Sequence, residues 1–439
     1  MTPIVVTLLI FALMLVLMAV RVPIAASMFV AGFVGYAAQA GMEPLLNHLK
    51  TESFARFSSY DLSVIPLFLL MGQFASQGGL SRALFRFANG VLGRLHGGMA
   101  MAAVVACAAF GAVCGSSVAT AATLGSVALP EMKRHGYSGR LATATLAAGG
   151  TLGIIVPPSV ILVIYGILTE QNIAKLFAAA MIPAALMVLA FVVGIAVYVR
   201  MVPGHAPAHD EVETTNLREA VSGVGPIAVI FTIVFGGIYG GIFTPTEGAA
   251  VGAAATFVVA LARRELGLRG IAASFYSTAM NAGMIFAIFL GADLLNASLA
   301  LTQVPNQLAE AVGAMALPPM AVIGAIMLLY LVLGCIMDEL SVILLTVPIF
   351  FPLVMGLPLG VEGAEKAIWF GILVLMTVVI GLITPPVGLN VYIVNGMADD
   401  VPIAESYRGI VPFLIAGLVC LLLLMLVPEL SIWTVRLIG

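Results

Sequence analysis

One segment of the sequence limits the folds open to this chain more than any other. Gly149 to Ser159 reads Gly-Gly-Thr-Leu-Gly-Ile-Ile-Val-Pro-Pro-Ser and lies inside an apolar run that extends from Leu141 to Leu168. Two adjacent prolines remove backbone donors, at roughly 3 kcal/mol for each proline in a helix interior. The helix therefore has to break in this run. Lipid cannot satisfy the freed backbone groups, so a break at membrane depth must be buried in protein or line a wet cavity.

The same feature returns in the second half of the chain. The segment from Gly381 to Asn390 reads Gly-Leu-Ile-Thr-Pro-Pro-Val-Gly-Leu-Asn, again inside an apolar run. Two interrupted apolar segments at corresponding positions of two halves point to the binding site of a secondary transporter. The sequence therefore predicts two broken helices, over 141–169 and 366–397.

Composition places these segments in a membrane protein. Of the 439 residues, 62% are hydrophobic and 9% are charged, whereas about 25% of the residues in a soluble domain are charged. We expect an all-α polytopic protein in a lipid bilayer, with the run from Met1 to Val20 as the first span rather than a cleaved leader. The formal net charge of −3 gives no support for a nucleic-acid partner.

Two further apolar runs have a length that suits neither one crossing nor two. The run 97–130 is interrupted by Cys-Gly-Ser-Ser at 114–117, and the run 318–352 is interrupted by Met-Asp-Glu-Leu-Ser at 337–341. Two half-length legs that enter and leave the membrane on one side explain both the length and the polar interruption. The sequence predicts re-entrant hairpins over 97–130 and 318–352.

Basic residues indicate which side each hairpin opens to. Arg82, Arg86 and Arg94 precede the first hairpin, and Lys133, Arg134 and Arg140 follow it, which predicts a cytoplasmic opening. The region 301–317 before the second hairpin contains no Lys or Arg, so that hairpin should open to the periplasm. The complete topology places 13 of the 18 Lys and Arg residues inside and both termini outside.

The two halves also correspond by spacing. Pro23 and Pro245 are 222 residues apart, as are Pro130 and Pro352, and the two Pro-Pro pairs are 228 residues apart. The spacing predicts a first repeat over 1–201, a cytoplasmic linker over 202–219 and a second repeat over 220–439. Because the first half crosses the membrane an odd number of times, its copy must be inverted, as in secondary transporters.

The polar groups of this arrangement cluster at the two hairpin tips. Ser116 and Ser117 offer hydroxyl oxygens at the depth where the first broken helix offers backbone carbonyl oxygens. Such oxygen ligands suit a hard cation such as Na⁺. The N-termini of half-helices attract an anion, so the site could bind a cation together with an organic anion. Ser116 and Ser117 can also cap the second leg of their hairpin. The 222-residue spacing pairs them with Asp338 and Glu339, and Asp338 is equally compatible with an ion ligand or a helix cap.

Enzymatic signatures do not occur in the sequence. It contains no Walker motif, nucleophile elbow or zinc signature, and its four cysteines lack the spacing of metal ligands. We therefore expect neither an enzyme nor a cofactor.

At these motifs the chain resembles the large membrane subunit (DctM-like) of tripartite ATP-independent periplasmic (TRAP) transporters. The likeness covers essentially the whole chain. It rests on Ile65-Pro-Leu-Phe-Leu-Leu-Met-Gly72, Gly115-Ser-Ser-Val-Ala-Thr120, Leu129-Pro-Glu-Met-Lys-Arg-His-Gly-Tyr-Ser138, Gly150-Thr-Leu-Gly-Ile-Ile-Val-Pro-Pro-Ser159, Phe243-Thr-Pro-Thr-Glu-Gly-Ala249 and Gly381-Leu-Ile-Thr-Pro-Pro-Val-Gly-Leu-Asn390.

The resemblance implies a Na⁺-coupled elevator-type symporter of the bacterial inner membrane that imports carboxylate-bearing solutes. It implies two partners, a small four-span (DctQ-like) membrane subunit and a periplasmic (DctP-like) substrate-binding protein. Carried over by motif, one Na⁺ site involves Ser116, Ser117, Gly150, Gly153 and Pro157, and the other involves Met337, Asp338, Gly381 and Thr384. The further candidates for cation or substrate binding are Gly115, Val156, Pro158, Ser159, Gly334, Pro385, Pro386 and Asn390. Glu339 departs from the proline or small residue expected in this family.

Other functions remain open at this point. A stand-alone Na⁺- or H⁺-coupled organic-anion symporter would need no binding protein, and an ion channel or a structural membrane component belongs to a different class. A channel needs a continuous polar pore, whereas the polar groups here cluster at two tips.

We expect no fused small subunit. The hairpins and broken helices should form the moving domain, with 3–40, 177–200, 224–262 and 410–428 as the scaffold.

Overall fold

A computed structural model describes residues 3–207, 217–304, 307, 310, 315 and 317–438. The first half contains α1 (Pro3–Ala19), α2 (Ile24–Ala40), α3 (Met42–Phe57), α4 (Val64–Gln77), α5 (Leu80–Leu92), α6 (Gly98–Cys114), α7 (Ser117–Arg134), α8 (Gly139–Thr151), α9 (Val160–Thr169) and α10 (Ile173–Met201). The second half contains α11 (Leu217–Tyr239), α12 (Pro245–Ala262), α13 (Leu268–Leu301), α14 (Pro319–Gly334), α15 (Glu339–Met355), α16 (Gly363–Gly381), α17 (Leu389–Asn395), α18 (Ile403–Leu426) and α19 (Glu429–Ile438). Residues 208–216, half of the predicted linker 202–219, lie outside the described residues.

The all-α inverted-repeat architecture is confirmed. Helices α6 and α7 form the first hairpin, α14 and α15 the second, and the two broken helices are α8 with α9 and α16 with α17. Within the described part, five helices have the length and apolarity of a full membrane crossing, namely α10, α12, α13, α16 and α18. The hairpin legs α6, α14 and α15 have only 16 or 17 residues, which suits legs that turn back inside the membrane.

The helices on one side form an outer group, which consists of α1, α2, α4 and α11 to α13. The outer group therefore contains helices from both repeats. Small residues let its helices approach closely, which is a usual device for packing in membranes. A Cβ at Gly32 on α2 would lie 2.5 Å from the backbone nitrogen of Leu295 on α13, and one at Gly291 would lie 2.5 Å from the carbonyl oxygen of Ala25. Helices α2 and α13 therefore pack backbone against backbone.

A hairpin group contains both hairpins, both broken helices, α10, α18 and α19. The sequence-based expectation placed 177–200 and 410–428 in the scaffold, but the structure packs α10 and α18 against the broken helices. The indole nitrogen of Trp369 on α16 donates to the carbonyl oxygen of Leu424 at 2.9 Å. Phe191 of α10 and Phe413 of α18 pack edge to face with ring centroids 5.3 Å apart. Phe177 of α10 also packs edge to face on Phe68 of α4 and Phe235 of α11, so the division into scaffold and moving domain stays a prediction.

Two helices, α3 and α5, fall between the apolar runs and are absent from the sequence-based prediction. Helix α5 is amphipathic: it buries Leu84 and Phe85 while Arg82 and Arg86 are exposed. A helix with one apolar stripe produces no continuous hydrophobic run, so a search for membrane spans passes over it.

Candidate functional site

The tip of the first hairpin packs directly on the first broken helix. Gly115 ends α6 in the left-handed region, with φ of 66°, and its N–H donates to the carbonyl oxygen of Gly111 at 2.6 Å. A Cβ at Gly111 would lie 2.3 Å from the Cα of Gly153, in the turn that follows α8. The contact between hairpin and broken helix therefore requires glycine on both sides.

Oxygen atoms converge where these two segments meet. A Cβ built on Gly153 would lie 2.6 Å from the hydroxyl of Thr120 and 2.9 Å from the carbonyl oxygen of Ser116. Thr120 is fully buried, and among the described residues its hydroxyl has no oxygen or nitrogen as a hydrogen-bond partner; its polar neighbour is the Cys114 thiol. A buried hydroxyl without a partner is costly unless a ligand satisfies it. These oxygens suit a Na⁺ ion.

Thr120 is absent from the residues predicted to bind the cation, although it ends the first-hairpin motif. It lies one turn after the tip, and helical periodicity places it on the side of α7 that starts with Ser116. The Ser116 hydroxyl itself accepts from the backbone N–H of Ala119 at 3.4 Å and so caps α7. The capping alternative for Ser116 is therefore observed, and its carbonyl oxygen is the atom that faces Gly153.

The remaining predicted residues of the first break surround this point. Gly150 packs against Ala121 of α7, where a Cβ would lie 2.5 Å from the Ala121 Cβ. Ser159 caps α9 by accepting from the N–H of Leu162 at 3.3 Å. Pro157 and Pro158 are buried, and Val156 is half-buried. The first break is thus enclosed by protein, as an interrupted helix in a membrane requires.

The second hairpin meets the second broken helix in the same way. A Cβ at Gly381 would lie 2.8 Å from the Cα of Gly334. The N–H of Gly388 donates to the carbonyl oxygen of Cys335 at 3.1 Å, which ties the end of the break to the hairpin tip. The hydroxyl of Thr384 donates to the carbonyl oxygen of Ile380 at 2.7 Å. Both hairpins therefore contact their broken helices through a pair of glycines.

The two breaks differ in exposure. Pro385 and Pro386 are exposed, unlike the buried first pair, and the Tyr407 hydroxyl donates to the Pro386 carbonyl oxygen at 3.0 Å. Asn390 is fully buried; its side-chain nitrogen donates to the carbonyl oxygen of Ala147 at 3.4 Å, and its side-chain oxygen has no partner within the described part of the chain. The second site therefore also holds a buried oxygen that a cation could satisfy.

Asp338 occupies the start of the second leg as a helix cap. One carboxylate oxygen accepts from the N–H groups of Leu340 and Ser341 at 3.1 and 3.2 Å, and the other accepts from the Ser341 hydroxyl. Met337, directly before it, is buried. The capping alternative for Asp338 is observed. Coordination of an ion by Asp338 stays a prediction.

The two tips contact each other through residues that the repeat makes equivalent. The hydroxyl of Ser117 donates to carboxylate oxygen Oε1 of Glu339 at 2.9 Å, across 222 residues of sequence. Ser117 is fully buried and Glu339 is 6% exposed, and Oε2 of Glu339 has no hydrogen-bond partner among the residues that the structure describes. Glu339, which looked like a local departure at the second tip, thus joins the two hairpins.

A cavity of about 580 Å³ lies beside the joined tips. It lies between the hairpin group and the outer group, and its volume falls in the range of small-molecule sites. The hairpin side contributes Gly115, Ser116, Val160, Asp338 and Glu339 among others. The outer side contributes Gln73 of α4 and, from α13, Ser277, Asn281, Met284, Ile285 and Ile288.

A second, more polar crevice of about 430 Å³ continues along α7. Ala122 lines both spaces. The crevice is lined further by Thr123 and Ser126 of α7, by Arg82 of α5 and by Glu265. Arg82 belongs to the segments that the charge distribution predicts to be cytoplasmic.

Comparison with known proteins gives a consistent result. Residues 11–430 match the family model described as "Tripartite ATP-independent periplasmic transporter, DctM component". The chain is 35% identical over 387 residues to the C4-dicarboxylate TRAP transporter large permease protein DctM of Pseudomonas aeruginosa, with 88% of each chain covered. It is 32% identical over 427 residues to the isethionate TRAP transporter permease protein DctMQ of Oleidesulfovibrio alaskensis, covering 96% of this chain and 65% of that protein.

Among solved structures, the Alcanivorax borkumensis YdaH transporter, described as having an unusual topology, matches with a TM-score of 0.63. The match covers 98% of this chain and 99% of that one at 15% sequence identity. At this identity the likeness shows a shared fold.

Proposed function

Because the chain belongs to the DctM family of tripartite ATP-independent periplasmic transporters, we propose that it is the large membrane subunit of a Na⁺-coupled importer of carboxylate-bearing organic solutes. The proposal places the chain in the bacterial inner membrane and makes it a transporter without a catalytic site. A small four-span subunit and a periplasmic substrate-binding protein complete the system, which sets it apart from a stand-alone symporter.

One observation carries the Na⁺ part of this proposal. Beside the contact of Gly111 with Gly153, the buried hydroxyl of Thr120 has no oxygen or nitrogen partner in the described part of the chain, and it lies near the carbonyl oxygen of Ser116. Hydroxyl and carbonyl oxygens at the unwound part of a helix are the ligands that transporters offer to Na⁺. The second broken helix also holds a buried side-chain oxygen, that of Asn390, which has no partner among the described residues.

An elevator mechanism accounts for the position of the cavity. The cavity lies between the hairpin group, which carries the tips, and the α13 face of the outer group. Sliding of the hairpin group along the outer group would carry a bound solute across the membrane while the site stays intact. The crevice along α7 would release the solute to the cytoplasm.

Uptake by reconstituted vesicles tests the proposal. The chain would be purified with its small membrane subunit, inserted into vesicles and supplied with its binding protein and radiolabelled solute. We expect uptake with an inward Na⁺ gradient and none when K⁺ replaces Na⁺. Uptake that follows a proton gradient in the absence of Na⁺ would contradict the proposal.

A further inference from the structure

We propose that the protein binds the headgroup of an anionic phospholipid at a basic patch beside the outer group. The patch consists of Arg82 and Arg86 of α5 and of Arg264 and Arg269, which lie on either side of the start of α13. All four side chains are exposed. The patch lies outside the 580 Å³ cavity, so the proposal does not depend on which ion or solute the protein carries.

The turn between α12 and α13 lies at a membrane surface. Both helices have the length and apolarity of a full crossing, so the segment that joins Ala262 to Leu268 has to leave the hydrocarbon region. Arg264 lies in this turn, and Arg269 lies in the first helical turn of α13. Long basic side chains near the end of a span reach the headgroup region. Both guanidinium groups are therefore at the depth of lipid headgroups.

Helix α5 begins beside this turn. A Cβ at Gly78, between α4 and α5, would lie 2.7 Å from the Cβ of Ala260 near the end of α12. The next residue, Gly79, packs against the carboxylate of Glu265. Arg82 and Glu265 also line the same crevice. The arginines of α5 and those at the start of α13 thus belong to one surface.

The charge of this surface is almost entirely positive. The sequence has no Asp or Glu over 62–130, which includes α5, and only Glu265 over 248–292. The Glu265 carboxylate lies at the N-terminus of α5, where the helix dipole favours an acid. Guanidinium groups bind phosphate through paired hydrogen bonds. A cluster of basic side chains at a membrane surface therefore attracts anionic lipids.

Exposed apolar side chains next to the arginines suit the acyl chains of a lipid. Leu268, directly before Arg269, is 86% exposed, and Leu261 at the end of α12 is also exposed. Helix α5 buries Leu84 and Phe85 in the protein, so its arginines are on the opposite, outward side. Basic and apolar side chains together at a membrane edge fit a lipid better than a free anion.

Thermal unfolding of the purified protein in detergent tests the proposal. Phosphatidylglycerol and phosphatidylcholine with identical acyl chains differ in headgroup charge, and inorganic phosphate supplies an anion without acyl chains. We expect phosphatidylglycerol to raise the unfolding temperature more than phosphatidylcholine does, and the difference to shrink at high salt, because exposed charges are screened. An equal shift with both lipids, or with inorganic phosphate, would overturn the proposal.

Two double variants locate the bound lipid. Arg82→Gln with Arg86→Gln removes one half of the patch, and Arg264→Gln with Arg269→Gln removes the other. Each should raise the phosphatidylglycerol concentration for the half-maximal shift about tenfold or more, because each basic side chain near the surface contributes to binding. An unchanged concentration in both would overturn the proposal. If neither variant folds, the comparison of the two lipids on the unmodified protein still decides.

A control pair separates the patch from general surface charge. Arg134→Gln with Arg200→Gln also removes two exposed arginines, at the ends of α7 and α10, and should keep the lipid response of the unmodified protein. An equal loss in this control would overturn the proposal. Copurification of the small membrane subunit should be the same in all variants. Loss of that subunit from the patch variants, with an unchanged lipid response, would assign the patch to a protein contact and also overturn the proposal.

Discussion

The hydroxyl of Ser117 and the carboxylate of Glu339 are 2.9 Å apart, and the two residues occupy the same position in the two repeats. Equivalent residues of an inverted repeat contact each other only close to the axis that relates the repeats. The hydrogen bond therefore places both hairpin tips at that axis and beside the cavity. Any movement of one tip relative to the other has to displace or break this contact.

Removal of the Ser117 hydroxyl should destabilise the protein. Ser117→Ala removes the hydroxyl that donates to Oε1 of the buried Glu339, and such a loss costs roughly 1–3 kcal/mol. The variant Ser117→Ala with Glu339→Leu replaces both partners by apolar groups, so it should recover most of that stability. Thermal unfolding of the purified variants measures both effects. Ser126→Ala, an exposed position on α7, is the control, and equal unfolding temperatures for Ser117→Ala and Ser126→Ala would refute the role of the bond.

The glycine contacts between hairpins and broken helices should not accept a side chain. Gly153→Ala would put a methyl group 2.6 Å from the Thr120 hydroxyl, and Gly381→Ala would put one 2.8 Å from the Gly334 Cα. Both variants should push the hairpin away from its broken helix and lower Na⁺-dependent uptake at least about tenfold, because overpacking costs about 1–3 kcal/mol. Gly283→Ala on α13 is the control, since nothing lies within 4 Å of the added methyl. Normal uptake by Gly153→Ala and Gly381→Ala would show that these contacts are dispensable.

Opposite orientation of the repeats can be read from chemical labelling. A cysteine in place of exposed Arg134, after the first hairpin, should react with a membrane-impermeant thiol reagent only from the cytoplasm. A cysteine in place of exposed Glu362, after the second hairpin, should react only from the periplasm. The four native cysteines are buried, and the unmodified protein gives the background. Labelling of both positions from the same side would contradict the orientation assigned from the basic residues.

The broken helices and hairpins could be predicted from the sequence because each has a local cause. Pro-Pro pairs prevent a continuous helix, and apolar runs of 34 or 35 residues suit neither one crossing nor two. The neighbours of α10 and α18 could not be predicted in this way. Length and apolarity identify a membrane span but say nothing about which helices it packs against.

The candidate site could be predicted only in part for a related reason. The 222-residue spacing pairs Ser117 with Glu339, yet equivalence in a repeat does not by itself place two residues in contact. Thr120 carries no signal beyond its place in the first-hairpin motif, because a buried threonine in an apolar helix usually bonds to a carbonyl of its own helix. Only the three-dimensional arrangement shows that its hydroxyl lacks such a partner.

The Na⁺ dependence of uptake by Thr120→Val tests the central claim most directly. Valine keeps the shape of threonine and removes only a hydroxyl that has no hydrogen-bond partner in the structure, so thermal stability should hold or rise. If that hydroxyl is a ligand of the coupling ion, its loss should raise the Na⁺ concentration for half-maximal uptake about tenfold, in line with about 1.4 kcal/mol of lost binding. Thr123→Val, on the same helix but in the crevice, should keep the Na⁺ dependence of the unmodified protein. An unchanged Na⁺ dependence in Thr120→Val, with normal folding, would contradict a cation site between the first hairpin and its broken helix.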